Sequence, residues 1–400
     1  MSKQDKKYVL PKGFLANGIH CGVKKKRKDL SLFYSQKKCK VAALFTKNVV
    51  KAAPVKLALE QLKEDGSVRA IVVNSGNANC MTGRRGMKDA KRMVKTMANI
   101  LGVPEAEVLV SSTGIIGEFM EMVPILKGMK HLAKGLSSQG IEGAAMGIMT
   151  TDRFPKISTR TFTAGGKKIT ITGVAKGAGM IKPDMATMLG YIMTDAKITK
   201  KALDKALFSS VDVSFNAITV DGDMSTNDTV VLMANGEAGN KIIDEKGTDF
   251  NLFKKKLTEV SSELAEMIVI DGEGASKFIE VRVKGTKNDR DAKRIAESIA
   301  DSLLVKCAVS GGDPNWGRIA SSAGASGVEF NPDKMDIKLD GVVFFKHGHS
   351  RAHVNRKATS VFKDKRVLIE VDLHEGNGKA VFFSCDISKK YITLNSYYTT

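Results

Sequence analysis

The stretch AIVVNSGNANCMTGRRGMKDAKRMVKTMANILGVPEAEVLVSSTG, residues 70–114, sets the fold class. Ala70–Val73 is a short unbroken apolar run of the kind that makes a buried strand. The polar segment Asn74–Asn79 reads as a turn after it. Met87, Ala90, Val94, Met97 and Leu101 then fall on one helical face, and Gly102 and Pro104 supply the stop. Val108–Val110 begins another strand, which leads into Ser111-Ser112-Thr113-Gly114.

The same alternation continues outward. Phe253, Leu257, Val260, Leu264 and Ile268 repeat at helical spacing, and Ile279, Val281 and Val283 alternate with charged residues as in a half-buried strand. Ala292, Ile295, Ala296, Ile299 and Leu303 predict one further amphipathic helix. Val367, Ile369, Val371 and Leu373 alternate, and the turn Glu375–Gly378 joins them to Val381–Phe383 as a hairpin. The expected class is α/β or α+β with mixed sheets, without an internal repeat or a low-complexity linker.

Bulk composition narrows the function. The chain has 400 residues, enough for two domains or one large α/β domain with a lobe. Its net charge is +20, from 63 Lys and Arg against 43 Asp and Glu. The densest basic run, Lys24–Lys28, is not interleaved with stacking aromatics, so a solvated basic surface is expected rather than a nucleic-acid site. Five cysteines, an odd number without a C-x-x-C pair, argue against a disulfide framework and for a reducing cytoplasm. No stretch approaches the ~18–20 apolar residues that span a membrane.

The chemistry is concentrated in KGAGMIKPDMATML, residues 176–189. A glycine-rich turn precedes Ala186-Thr187, with Lys176 beside it. A threonine hydroxyl is a weak nucleophile until a base removes its proton, and an N-terminal threonine carries that base as its own α-amine. That amine titrates near ~7.7–8.0, so it accepts a proton around neutral pH. Thr187 becomes N-terminal only if the Ala186–Thr187 bond is cut. The route would be attack of its hydroxyl on the Ala186 carbonyl, an N→O acyl shift and hydrolysis of the ester.

KGAGMIKPDMATMLGYIMTDA, residues 176–196, resembles the processing-site signature of the ornithine acetyltransferase (glutamate N-acetyltransferase) family. Other pieces resemble the same family in order: PKGF at 11–14, AAPV at 52–55, NSGNANC at 74–80 and SSTGIIG at 111–117. The second half adds SFNAITVDGDMSTNDT at 214–229, DGEGASKF at 271–278 and DPNWGRI at 313–319. The resemblance implies an α/β fold, a layered αββα sandwich with mixed sheets, related to aminopeptidases and distinct from the N-terminal-nucleophile hydrolases it resembles. It implies an α chain of residues 1–186 and a β chain of residues 187–400, interlocked and paired as α2β2.

The resemblance also distributes roles. Thr187 would be the nucleophile, and Ala186–Thr187 the cleavage site. Thr113 and Gly114 match the oxyanion pair. Thr150, Lys176, Glu273, Asn395 and Thr400 match substrate contacts, with Lys176 set against a carboxylate and Glu273 against the ornithine ammonium. The implied reaction is ping-pong: N-acetylornithine gives its acetyl group to Thr187, and glutamate takes it. Acetyl-CoA is a further donor if the enzyme is bifunctional. Cys80, Met224, Ile270 and Cys307 depart from the usual family residues, which bears on substrate preference rather than reaction class.

No cofactor is expected. Gly177–Gly179 and Gly311–Gly312 lack the spacing of phosphate loops. His347, His349 and His353 have no carboxylate or cysteine at ligand spacing in the sequence, so no metal is expected. The rival readings are an N-terminal-nucleophile amidohydrolase or aminopeptidase, which would pass the acyl group to water, and a basic nucleic-acid-binding protein.

Overall fold

The computed structural model describes residues 8–63, 66–182, 188–351 and 361–397. Its first sheet contains β1 (Phe14–Ile19), β2 (Leu30–Phe45), β3 (Val68–Asn77), β4 (Val108–Ile115), β5 (Lys156–Ala164), β6 (Lys167–Lys176), β7 (Leu189–Thr194) and β8 (Thr229–Ala234). The strand order is β4-β3-β2-β8-β7-β6-β5, with β1 paired to β2. β3 and β4 run parallel, as do β7 and β8; the other pairs are antiparallel.

The central strands are apolar without a break. Every residue of β7, LGYIMT, and of β8, TVVLMA, is buried. Strands of this kind need cover on both faces. On one face Ile171, Ile192 and Leu232 pack against α5 (Lys200–Asp212) and α6 (Gly247–Ile270) through Leu203, Phe253 and Leu264. On the other, Tyr191, Met193 and Val231 meet Ile141, Ala144 and Ile148 of α4 (Ile141–Ile148). At the β3–β4 end, Val72 and Val110 lie in one core with Met93 and Met97 of α2 (Gly83–Leu101) and Ile125 and Met129 of α3 (Met122–Lys134). A shorter helix, α1 (Ala53–Gln61), adds Leu57 to that core.

The second sheet comprises β9 (Phe278–Thr286), β10 (Asp336–Leu339), β11 (Val342–Lys346), β12 (His349–Ser350), β13 (Arg366–Asp372) and β14 (Gly378–Cys385). Its order is β12-β11-β10-β13-β9-β14, and only β13 and β9 run parallel. Val281, Ile369 and Phe382 from this sheet pack with Ile295 and Ile299 of α7 (Asp289–Asp301), Val309 of α8 (Leu303–Gly311) and Ile319 of α9 (Trp316–Gly324). A last helix, α10 (Lys389–Tyr397), follows β14. The class is therefore α/β, with two mixed sheets layered with helices. No helix among the described residues is long and apolar enough to cross a membrane, and the five cysteines are free thiols.

Three local expectations are corrected. The polar run from Asn74 is not all turn: β3 continues to Asn77 because β4 stays beside it in parallel register as far as Gly114. Leu303 does not belong to the preceding amphipathic helix. Ser302 ends α7 and caps α8, its side chain accepting from the Val305 N–H, and Leu303 is 61% exposed. The expected hairpin between residues 367 and 383 does not form, because β9 lies between β13 and β14 and pairs with both. The connection crosses the end of β9 at close range. A Cβ on Gly376 would lie 2.4 Å from the Thr286 carbonyl oxygen, so only glycine passes there.

The two layers are tied by a buried cation. Lys306 of α8 is 1% exposed. Its Nζ donates to the Val220 carbonyl at 3.0 Å, to the Cys385 carbonyl at 3.1 Å and to the Ser384 hydroxyl. The neighbouring contact from Thr219 N–H to the Phe383 carbonyl, 2.9 Å, runs the same way. Replacing Lys306 by methionine strands these acceptors. We expect a loss of about 2–4 kcal/mol, read as a lower urea midpoint with an unchanged denaturant slope.

Candidate active site

A cavity of about 210 Å³ lies where loops from both halves of the first sheet meet α10. One wall is the end of β4. Thr113 and Gly114 line it, and Gly114 has φ +134°. A Cβ on Gly114 would fall 2.3 Å from the Gly76 carbonyl carbon, so the approach of β3 to β4 requires glycine. Neutral amides hold this wall. Asn227 Nδ2 donates to the Ala78 carbonyl at 2.7 Å and to the Ser112 carbonyl at 2.8 Å. The Ser112 hydroxyl donates to Asn74 Oδ1 at 2.6 Å.

The opposite side is fixed by charge. Lys156, fully buried at the start of β5, places its ammonium 2.6 Å from Asp152 and 2.6 Å from Asp271. Asp152 also accepts from the Thr150 N–H at 2.9 Å and the Gly177 N–H at 2.8 Å. Asp271 accepts from Arg153 Nε at 2.7 Å and from the Arg153 N–H. Burial opposes the Asp152 charge, but the Lys156 and Lys176 ammonium groups and the Gly177 N–H outweigh it, and its pKa falls to about 2. This network locks the loop carrying Thr150, the end of β6 carrying Lys176 and the segment carrying Glu273.

The interior is charged unequally. Lys176 faces Asp221, Asp223, Asp228 and Glu273 around the cavity. Burial lowers the Lys176 pKa, while Asp152 and Asp228 pull it up. Burial also raises Asp221, although the Ile181 and Met180 N–H groups donate to it at 2.8 and 2.6 Å. Asn395 of α10 reaches in and donates to Glu273 Oε2 at 2.9 Å. The arrangement offers a cation for a carboxylate and several carboxylates for ammonium groups. It suits a small zwitterion.

Thr113, Gly114, Thr150, Lys176, Glu273 and Asn395, picked out in the sequence, thus line one cavity. Ala186, Thr187 and Thr400 lie outside the described residues. A model of the ArgJ family matches residues 15–400. The arginine biosynthesis bifunctional protein ArgJ of Caldanaerobacter subterraneus subsp. tengcongensis is 48% identical over 400 residues, covering 99% of each chain. That of Geobacter sulfurreducens is 47% identical over 391 residues, covering 97% of this chain and 99% of its own. The chain belongs to the ArgJ family. It is an acyltransferase of arginine biosynthesis. A crystal structure of the arginine biosynthesis bifunctional protein argJ from Bacillus halodurans is 41% identical to it, with a TM-score of 0.51. The match covers 52% of this chain and 98% of that one.

Several residues of this ArgJ site escaped sequence reasoning. Asp152 and Lys156 stand at i, i+4, but their third partner, Asp271, is 115 residues from Lys156. Asn227 and Asp228 were visible only as part of a recognised string, and Tyr391 of α10 gave no signal. Away from the cavity, His347 has partners outside its own histidine run. It joins Asp336 and His374, with their ligand atoms within 4.8 Å of one another. The carboxylate absent from the local sequence is supplied by β10. His353 lies outside the described residues.

Replacing Lys156 by methionine leaves two buried carboxylates facing each other. The expected cost is about 3–5 kcal/mol, measured by chemical denaturation. A variant as stable as the parent would show that Asp152 and Asp271 do not depend on that ammonium.

Proposed function

We propose that the protein cuts itself between Ala186 and Thr187 and moves acetyl from N-acetylornithine to glutamate through an acetyl ester on Thr187. The observation that carries this reading is the convergence of Thr113, Gly114, Thr150, Lys176, Glu273 and Asn395 on one cavity. The described chain reaches that cavity from both sides of the cut. Met180 lines it, and the Met188 N–H is a hydrogen-bond donor to Asp228, which lines it too. The solved Bacillus halodurans chain corresponds to about half of this one, as a chain divided near its middle would.

The chemistry follows from these parts. The Thr187 hydroxyl attacks the acetyl carbonyl, and its proton passes to the Thr187 α-amine. Thr113 and Gly114 donate to the oxyanion that forms. The C–N bond breaks as the α-amine returns the proton to the departing ornithine nitrogen. Glutamate then attacks the ester by the same steps in reverse, giving N-acetylglutamate; water is a slower acceptor. Lys176 takes the substrate carboxylate and Glu273 the side-chain ammonium. Acetyl-CoA serves as a second donor in the bifunctional reading, the word carried by the relatives' names. No cofactor or metal enters these steps.

The α chain, 1–186, and the β chain, 187–400, stay together because β6 precedes the cut and pairs with β7 beyond it, while β2 pairs with β8. Two such pairs make an α2β2 assembly. Free thiols suit the reducing cytoplasm.

Intact mass tests the cut. By length, the 43.2 kDa chain should give pieces of roughly 20 and 23 kDa, and Thr187→Ala should give one full-length species. One uncut peak for both proteins, without acetyl transfer, would sink the reading. For specificity, Glu273→Gln removes the charge but keeps an acceptor for Asn395. We expect KM for N-acetylornithine to rise about ten- to a hundredfold, the cost of a charge-assisted hydrogen bond, with kcat changed much less.

A further inference from the structure

The loop leading into β8 holds a carboxyl that these steps leave unused. Asp228 is 2% exposed, yet it lines the cavity. Its Oδ2 is buried and has no hydrogen-bond partner among the described residues. The main chain around it is pinned on two sides. The Thr46 N–H donates to the Asp228 carbonyl at 3.0 Å, and the Thr229 N–H donates to the Met188 carbonyl at 2.9 Å. Its neighbour Asn227 is bound to the Ser112 carbonyl, so Asp228 belongs to the same wall as Thr113 and Gly114.

An ionised oxygen buried without a donor is costly, and the ordinary escape is to keep the hydrogen. Burial drives the Asp228 pKa well above the carboxylate range. The Lys176 charge, the Ser225 and Thr46 hydroxyls and the Met188 N–H oppose that shift without cancelling it. A neutral carboxyl has an O–H to give, and Oδ2 is the oxygen left free to carry it.

We propose that Asp228 is a further catalytic residue, a neutral carboxylic acid whose Oδ2–H donates a hydrogen bond to the acyl oxygen of the substrate. This rests on the acyl-transfer reading above. No proton is transferred: the hydrogen bond strengthens as the acyl oxygen gains charge in the tetrahedral intermediate, beside the donors of Thr113 and Gly114. The titratable groups that share the cavity with Asp228 are Lys176 from β6, which opposes its shift, Glu273 after α6, Asp221 and Asp223 from its own loop, and Tyr391 from α10.

Two substitutions test it. Asp228→Asn keeps the shape and an N–H donor; Asp228→Ala removes the donor. Splitting is first checked by intact mass, and kcat for acetyl transfer from N-acetylornithine to glutamate is then followed from neutral to alkaline pH. Asp228→Ala should lose roughly 10²–10³ in kcat, the effect of one oxyanion donor. Asp228→Asn should stay within about tenfold of the parent and lose the alkaline fall that ionisation of Asp228 imposes. It should also melt higher near neutral pH. A carboxyl whose folded pKa lies above its unfolded value loses folding free energy as pH rises between the two, and an amide does not.

If Asp228→Asn falls as far as Asp228→Ala, the site needs a charge and not a hydrogen, and the proposal is overturned. It is equally overturned if both variants keep full kcat and the alkaline limb in an enzyme whose parent is split and active; the acyl-transfer reading then survives. A parent that passes no acetyl group overturns both. Asp228→Asn decides the matter alone if Asp228→Ala does not fold.

Discussion

The ammonium of Lys156, buried between Asp152 and Asp271, is the interaction on which the rest of the site depends. Burial opposes the charge of Asp152, and the close Lys156 and Lys176 ammonium groups reverse that balance. With the pair in place, each carboxylate has capacity left to hold backbone. Asp152 takes the Thr150 and Gly177 N–H groups, and Asp271 takes that of Arg153. Three loops distant in sequence are thereby fixed to one cation, and each delivers a side chain to the cavity. The Thr113–Gly114 wall is built by different means, the uncharged amides of Asn227 and Asn74. Donors proposed for an oxyanion are best held by neutral groups, since a nearby carboxylate would repel the charge they would stabilise.

The first sheet answers a separate requirement. Under the proposed cut the two halves must not fall apart, and the order β2-β8-β7-β6 interleaves strands from both sides of residue 187. β7 and β8 are buried on both faces, between α5 and α6 on one side and α4 on the other. Separating the halves would expose that whole core. Loss of one peptide bond in the proposed cut would therefore remove little stability, because the sheet's hydrogen bonds and apolar burial hold the pieces as one unit.

The legible part of the sequence was the part with short-range periodicity. The strand at Ala70–Val73, the helix from Met87 to Leu101 and the helix through Phe253 and Ile268 all formed, because apolar spacing alone determines which face is buried. The failures arose where a long-range partner decided. Leu373 and Val381 look like the two arms of a hairpin, but β9, far earlier in the chain, takes the pairing positions between them. Leu303 fits the helical period, yet Ser302 offers its side chain as a cap and restarts the helix. The candidate site was legible only through resemblance. No local pattern announces that Asp271 will meet Lys156, or that Asn395, near the chain's end, will hydrogen-bond Glu273. Such contacts are properties of the assembled fold.

The charge distribution has its own logic in the proposed reaction. The chain as a whole carries +20, whereas the cavity sets Asp221, Asp223, Asp228 and Glu273 against Lys176. A positive exterior draws in an anionic acceptor such as glutamate and gives no such help to cationic ornithine. An acid-rich interior does the reverse, gripping the ornithine ammonium while the acyl group is transferred. If all four acids were ionised, that interior would oppose both the oxyanion and the incoming glutamate. Keeping the deepest of them neutral removes one negative charge where the oxyanion forms, and leaves Glu273, hydrogen-bonded to Asn395, to recognise the ammonium at the cavity wall.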